Sequence, residues 1–250
     1  GDMGRYGCKG LLCPPNYQSV YGRQSDDDTR CEECTGGRKA RYYGSFECVG
    51  DSDFDGQAEL TILRKFYDET GGSGWTLSTN WKTDDDFCNW HGVQCVSDNV
   101  RSVQGLRLPQ NGLTGRVPRE VYDLPNLQEL NFGGNKVKVD FFGIDKASKL
   151  SYLNLDATGL TSLDGLENAQ TIKLLHIMGN NFAGSLPSSI LYLQDLEVLY
   201  LSDNDVGTTL PDSLKTLSNL VYLQCFDCGL SGPIPKWFSD LPNLEYLRLS

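Results

Sequence analysis

A chain of 250 residues is long enough for one extended domain or two smaller ones, and at 39% hydrophobic it can bury a continuous core. No apolar run approaches the roughly 18 residues that cross a bilayer, no secretory leader is visible in the sequence, and its start, Gly1-Asp2-Met3, reads as a processed or engineered end. With 22 basic against 33 acidic residues, a net charge of −11, the surface is unsuited to nucleic acid or an anionic membrane, and the one basic cluster, Arg38, Lys39 and Arg41, reads as a solvated loop.

The first 48 residues hold five of the nine cysteines and few aliphatic side chains. Such a segment is stapled by disulfides, which form in an oxidising compartment. Secretion rests on these cysteines, because no Asn-x-Ser/Thr sequon occurs in the chain. Residues 1–50 therefore read as a small separate module. The stretch Cys13-Pro14-Pro15-Asn16-Tyr17, followed by Cys31-Glu32-Glu33-Cys34 and ending in Cys48, resembles the short modules of ephrin-receptor and tumour-necrosis-factor-receptor ectodomains. The expected pairs are Cys13–Cys31 and Cys34–Cys48, with Cys8 left over. Zinc at Cys31 and Cys34 is the lesser alternative, since no histidine lies near them.

Residues 51–99 read as a cap. Leu60, Leu63, Phe66 and Tyr67 recur at helical spacing, and Gly71-Gly72 stops the helix. Asp51-x-Asp53-x-Asp55-Gly56 has the opening of an EF-hand loop, where carboxylates on a tight turn suit calcium. Position twelve of that loop is Ile62 in place of the bidentate Glu. The preferred reading is acidic residues favoured by the helix dipole, with calcium at Asp51, Asp53 and Asp55 as the alternative. The runs Asp26-Asp27-Asp28 and Asp84-Asp85-Asp86 read as solvated turns. Trp75, Trp81 and the run Cys88-Asn89-Trp90-His91-Gly92-Val93-Gln94-Cys95 come next. This CxWxGVxC pattern resembles the cap signature of plant-type leucine-rich-repeat ectodomains. The resemblance implies a Cys88–Cys95 disulfide, tryptophans lying over the first repeat and no ligand role for His91.

Residues 100–250 repeat every 22 to 24 positions, starting at Val103, Leu127, Leu150, Ile172, Leu196, Leu220 and Leu244, about six and a half units in all. Each fits LxxLxLxxNxLxGxIP, loosely in the second and third units. Aliphatics at the first, fourth and sixth positions enter a core that neighbouring units share. The ninth position is Asn111, Asn135, Asn180 or Asn204, with Thr158 and Cys228 in the others. An inward amide there can donate to and accept from buried backbone. Gly115, Gly184 and Gly232 set turns on the back, and Pro118, Pro187, Pro211 and Pro235 fix the chain direction. In the third unit the stretch Thr158 to Gln170 is shorter and lacks that Gly-x-Ile-Pro element, so the twist should change there.

The LxGxIP form resembles the plant-type repeat of receptor kinases and receptor-like proteins, and its combination with a cysteine-rich head resembles some algal (diatom-like) repeat proteins. The implied fold is an α/β solenoid: a right-handed superhelix with a helical, disulfide-stapled cap, preceded by a small disulfide-rich module. The chain stops inside a repeat strand at Leu249-Ser250, so the open end should continue or be covered in an oligomer.

Repeat phase also assigns the side chains that point out of the concave sheet. The third-position column is Gly105, Glu129, Tyr152, Leu174, Val198, Tyr222 and Tyr246. The fifth is Arg107, Asn131, Asn154, His176, Tyr200, Gln224 and Arg248. The seventh is Pro109, Gly133, Asp156, Met178, Ser202, Phe226 and Ser250. From the third unit onward, Tyr152, Leu174, His176, Met178, Val198, Tyr200, Tyr222, Phe226 and Tyr246 make an apolar and aromatic stripe. Asp156, Glu197, Asp203, Asp227 and Glu245 edge it. An apolar patch with a polar rim marks an interaction site, and tyrosine favours protein or peptide partners. Cys225 and Cys228 fall at the sixth and ninth positions, so they read as buried thiols rather than a redox pair, with a disulfide or metal as alternatives. His91 and His176 lie far apart, and no nucleophile elbow, phosphate loop or His-x-x-x-His is present, so neither catalysis nor a cofactor is expected.

The expected function is an extracellular or cell-surface receptor ectodomain that binds a peptide, protein or glycan on its concave face, with any membrane anchor outside this stretch. The competing expectation is a secreted enzyme inhibitor or cell-wall adhesion protein without signalling.

Overall fold

The computed structural model describes residues 49–97, 100–182 and 184–249, together with five two-residue strands ahead of them. The chain divides into two compact units, Gly1–Ala58 and Glu59–Ser250, each taken by itself. In the first, β1 (Leu11–Leu12) pairs antiparallel with β3 (Arg23–Gln24), β2 (Tyr17–Gln18) with β4 (Glu32–Glu33), and β5 (Arg38–Lys39) with β6 (Val49–Gly50). Cys13, Cys31, Cys34 and Cys48 lie outside the described residues, and so do their expected pairings.

Helix α1 spans Asp51–Glu69. Asp51, Asp53 and Asp55 therefore sit on its opening turns, and their side chains lie outside the described residues. Leu63 and Phe66 are fully buried, while Leu60 and Tyr67 pack at the margin of the core. The helix stops as its sequence predicts. Gly71 takes a left-handed φ of 72°, and the Thr70 hydroxyl donates back to Phe66 O at 2.6 Å.

Eight strands form the sheet. Strand β7 (Val93–Ser97) lies antiparallel on β8 (Val100–Arg107). Then β9 (Glu129–Asn131), β10 (Tyr152–Asn154), β11 (Leu174–His176), β12 (Val198–Tyr200), β13 (Tyr222–Cys225) and β14 (Tyr246–Leu249) follow in parallel, in chain order. The central leucines Leu106, Leu130, Leu153, Leu175, Leu199 and Leu223 are buried one behind another. Each unit alone would leave such a side chain in water, so the stack is the source of stability.

Short 3-10 helices form the other side. Where the unit carries its proline, five residues follow it: Arg119–Asp123, Ser188–Tyr192, Asp212–Thr216 and Lys236–Asp240. The second and third units have instead three-residue helices, Ile144–Lys146 and Leu166–Asn168, each entered through a left-handed glycine, Gly143 or Gly165. The departure read from the third unit thus extends to the second.

The Asn ladder is formed. Asn135 Oδ1 accepts from Asn111 N (3.0 Å) and Leu113 N (2.9 Å), while Nδ2 donates to Leu108 O (2.8 Å) and Phe132 O (2.7 Å). Asn111 carries the ladder onto the cap by accepting from Leu77 N and donating to Leu77 O. The last rung corrects the sequence reading. Cys225 and Cys228 are fully buried, as the phase requires, but they are joined by a disulfide (S–S 2.06 Å) rather than left as thiols. Alternation puts Cys225 inward at the end of β13, and the turn three residues later brings Cys228 back over it, with Cα atoms 5.5 Å apart.

The cap is held by the Cys88–Cys95 disulfide (S–S 1.98 Å) and by rings. Trp75 and Trp81 pack edge to face at 4.9 Å, Trp81 and Trp90 lie 5.0 Å apart, and Phe66 stacks on Phe132 at 5.4 Å. Each indole N–H finds a carbonyl: Trp75 on Thr70 O, Trp81 on His91 O and Trp90 on Asp85 O. Asp86 is more than a solvated turn residue, because it accepts from Cys88 N at 3.0 Å and pairs with Arg101 at 2.9 Å. Glu59 is buried on α1, where it accepts from Ser102 Oγ (2.7 Å) and Val103 N (2.5 Å). At the far end, Leu244, Leu247 and Leu249 are only partly buried, and a cavity of about 240 Å³ opens beside Leu210, Ile234, Phe238 and Leu249.

Candidate ligand-binding face

Strand pairing places the predicted columns in register. Gly105, Glu129, Tyr152, Leu174, Val198, Tyr222 and Tyr246 are successive partners across the parallel strands. Arg107, Asn131, Asn154, His176, Tyr200, Gln224 and Arg248 form the neighbouring row. Parallel strands about 4.8 Å apart bring equivalent side chains into contact.

Five rings from five consecutive strands touch in sequence. Tyr152 and His176 have centroids 5.3 Å apart, His176 and Tyr200 4.3 Å, Tyr200 and Tyr222 5.1 Å, and Tyr222 and Tyr246 5.9 Å. This ladder zigzags between the two columns, since Tyr152, Tyr222 and Tyr246 are third-position residues and His176 and Tyr200 fifth-position ones. Mutual stacking leaves Tyr152, Leu174, His176, Met178, Val198, Tyr200, Tyr222 and Phe226 half-buried, and Tyr246 55% exposed. The stripe is a run of partly exposed side chains across β10 to β14.

Polar contacts brace it. The Tyr222 hydroxyl donates to Gln224 Oε1 at 2.9 Å. Gln224 Nε2 donates to Ser202 Oγ at 3.2 Å and lies 3.7 Å from Met178 Sδ. Ser202, read as an outward residue, is in fact buried, and its hydroxyl also accepts from Phe226 N at 3.0 Å. A small hydroxyl between two larger neighbours is covered by them, and sequence phase alone does not register that. Arg248 places its guanidinium 5.7 Å from the Tyr222 ring centre.

The charged groups divide in two. In the early units Arg107 pairs with Glu129, and on the flank Lys173 pairs with Glu197 at 2.8 Å. Asp156 behaves differently. Its Oδ1 accepts from Met178 N at 2.6 Å, and its Oδ2 lies 3.9 Å from His176 Nδ1. Burial pushes the Asp156 carboxyl above its ordinary value and holds the His176 imidazolium below its own. The two therefore do not form an ion pair near neutral pH: the imidazole is neutral there. Sequence reading placed Asp156 on the rim and missed this contact, which depends on β10 and β11 lying side by side.

Known proteins share this architecture. The family model Leucine Rich Repeat matches residues 195–217 and 219–241. Pollen receptor-like kinase 2 of Arabidopsis thaliana is 30% identical over 141 residues, 55% of this chain and 21% of that protein. Receptor-like protein 49 of the same plant is 36% identical over 113 residues, 44% of this chain and 12% of the relative. Among solved structures, the Arabidopsis receptor kinase HAESA, in complex with the peptide hormone IDA and the co-receptor SERK1, matches with a TM-score of 0.64. It is 27% identical over 77% of this chain and 33% of that one. A plant ice-binding protein matches with a TM-score of 0.57 at 26% identity, over 79% of this chain and 62% of that one. This chain is a leucine-rich-repeat solenoid similar to those of plant receptor ectodomains, a binding fold rather than a catalytic one. It spans about one fifth of the length of Pollen receptor-like kinase 2 and less of Receptor-like protein 49. No helix among the described residues is long and apolar enough to cross a membrane.

Proposed function

We propose that this chain is the ligand-binding part of a cell-surface receptor or receptor-like protein, and that it takes an extended peptide along its concave face. The observation that carries this reading is the ladder of five rings from Tyr152 to Tyr246. A row of rings at strand spacing offers a line of apolar contacts to a chain laid across the strands. Rigid aromatic side chains lose little conformational freedom on binding. The Cys88–Cys95 and Cys225–Cys228 disulfides suit an oxidising, extracellular setting. The likeness to a receptor solved with a peptide hormone supports a peptide over a folded surface.

Panning a displayed library of random dodecapeptides on the full chain tests it. Tyr200→Ala/Tyr222→Ala should weaken the selected peptides by about tenfold or more while the circular dichroism spectrum stays unchanged. Selected peptides that bind the double variant as tightly as the parent would remove the ladder from the account. Retention of plant cell-wall oligosaccharides, with no peptide selected, would favour a glycan ligand.

A further inference from the structure

Resting on that reading, we propose that the peptide taken by the concave face is basic, with an arginine or lysine seated on the Asp156 carboxylate beside His176. The first argument is charge complementarity. Glu129 and Glu197 are already neutralised by Arg107 and Lys173. Asp156 has no lysine or arginine within ion-pair distance among the described residues, and its one charged-type neighbour is His176 at 3.9 Å. Its side chain is 21% exposed, so water screens it poorly while a ligand can still reach it. A half-buried carboxylate without a counter-ion is poorly stabilised, and a ligand cation would supply the missing partner. His176 cannot fill that role near neutral pH, because burial keeps its imidazole uncharged.

The rings supply the second argument. Cations are attracted to the faces of tyrosine rings. The ladder already accommodates one guanidinium, that of Arg248 at 5.7 Å from Tyr222. His176 lies between Tyr152 and Tyr200, so the Asp156 seat opens onto rings rather than onto solvent alone. Further along the same edge, Asp203 and Asp227 are exposed at left-handed φ of 60° and 50° and form no ion pair among the described residues. Arg248 is the one lysine or arginine on the concave columns of β10 to β14. An acidic peptide would find one base there against the carboxylates of Asp156, Asp203 and Asp227, none with a lysine or arginine partner among the described residues.

Synthetic dodecapeptide pools, random except for one fixed central residue, test this on the full chain. The fixed residue is arginine, its uncharged isostere citrulline, or glutamate. At physiological salt the arginine pool should be retained about tenfold better than the citrulline pool, and the glutamate pool least. Asp156→Asn keeps an acceptor for Met178 N, so it should fold with an unchanged melting temperature and lose the preference. Asp145→Asn, on a back-side 3-10 helix, controls for net charge and should keep it. Equal retention of arginine and citrulline pools, or a preference that survives Asp156→Asn, overturns the proposal. If the pools bind equally yet Tyr200→Ala/Tyr222→Ala still abolishes retention, the peptide-binding face stands and only its basic specificity falls. If no pool is retained, both fall.

Discussion

Removing the Asn180 side chain should cost more than removing that of Asn204, although both are buried ninth-position amides. Asn180 Oδ1 accepts from Thr158 N at 3.1 Å and Leu160 N at 3.0 Å, and its Nδ2 donates to Leu155 O and Ile177 O, each at 2.9 Å. In Asn180→Ala the two carbonyls keep a second donor, Thr158 Oγ1 for Leu155 O and Asn204 Nδ2 for Ile177 O. The two N–H groups keep none of these acceptors. An unsatisfied buried donor costs about 1–3 kcal/mol, so the loss should be about 2–6 kcal/mol. Among the described residues, Asn204 Oδ1 accepts from Asn180 N alone. Asn204→Ala thus orphans one N–H, and Leu201 O loses its Asn204 donor. Cys228 Sγ, 3.7 Å from Leu201 O, cannot replace it, since a disulfide sulfur has no proton to donate. Carbonyls tolerate under-satisfaction better than N–H groups, so Asn204→Ala should be milder by about 1 kcal/mol or more. Urea unfolding followed by far-ultraviolet circular dichroism measures the difference. The m-value needs comparison as well, because a solenoid can unfold unit by unit. If Asn204→Ala proves as costly as Asn180→Ala, counting orphaned donors does not explain ladder energetics.

Gly92→Ala should loosen the cap. Gly92 has φ +80°, and an added Cβ would lie 2.5 Å from Arg107 O and 2.6 Å from Leu108 Cδ2. Left-handed strain plus overpacking should cost about 2–5 kcal/mol, read as a lower thermal midpoint in tryptophan fluorescence; an unchanged midpoint would mean the contact relaxes freely. Alkylation in denaturant without reductant should leave Cys225 and Cys228 unmodified, and mass spectrometry finding them labelled would restore the thiol reading. Stability should also fall as pH drops from 7 through about 6.5. Burial holds the folded pKa of His176 below its ordinary value of 6.5, so the unfolded chain binds more protons in that window, and the loss levels off below the folded value. Asp156, raised from 3.8, acts oppositely at lower pH because its folded form favours the proton. Comparing melting temperatures at pH 7 and 5.5, His176→Gln should show the smaller drop; an equal drop would assign it to other groups.

Much of the candidate face was legible in sequence because a period of 22 to 24 residues carries its own geometry. Once Leu106, Leu130 and their successors are placed inward, alternation turns Tyr152, Tyr200 and Tyr222 outward, and stacking sets them in columns. The Asn rungs and the Cys88–Cys95 staple are likewise local patterns, each readable within one unit or one motif. What period does not carry is how neighbouring rows touch. Ser202 faces the same way as Met178 and Phe226 in the repeat, yet it is buried because Gln224 and the Phe226 backbone close over it. Glu59, four residues after the Asp51-x-Asp53-x-Asp55 run, accepts from Val103 N and Ser102 Oγ, 44 and 43 residues away, and no local pattern announces that pairing.

The sequence by itself determined the solenoid, its inward and outward faces and the position of its aromatic stripe, because hydrophobic burial obeys a local period. Tertiary structure alone decided three things. It added β7 antiparallel to the first repeat strand, joined Cys225 to Cys228 across a turn, and set Asp156 beside a neutral His176. Each depends on a distance between atoms that the repeat period does not specify and that only the folded backbone sets.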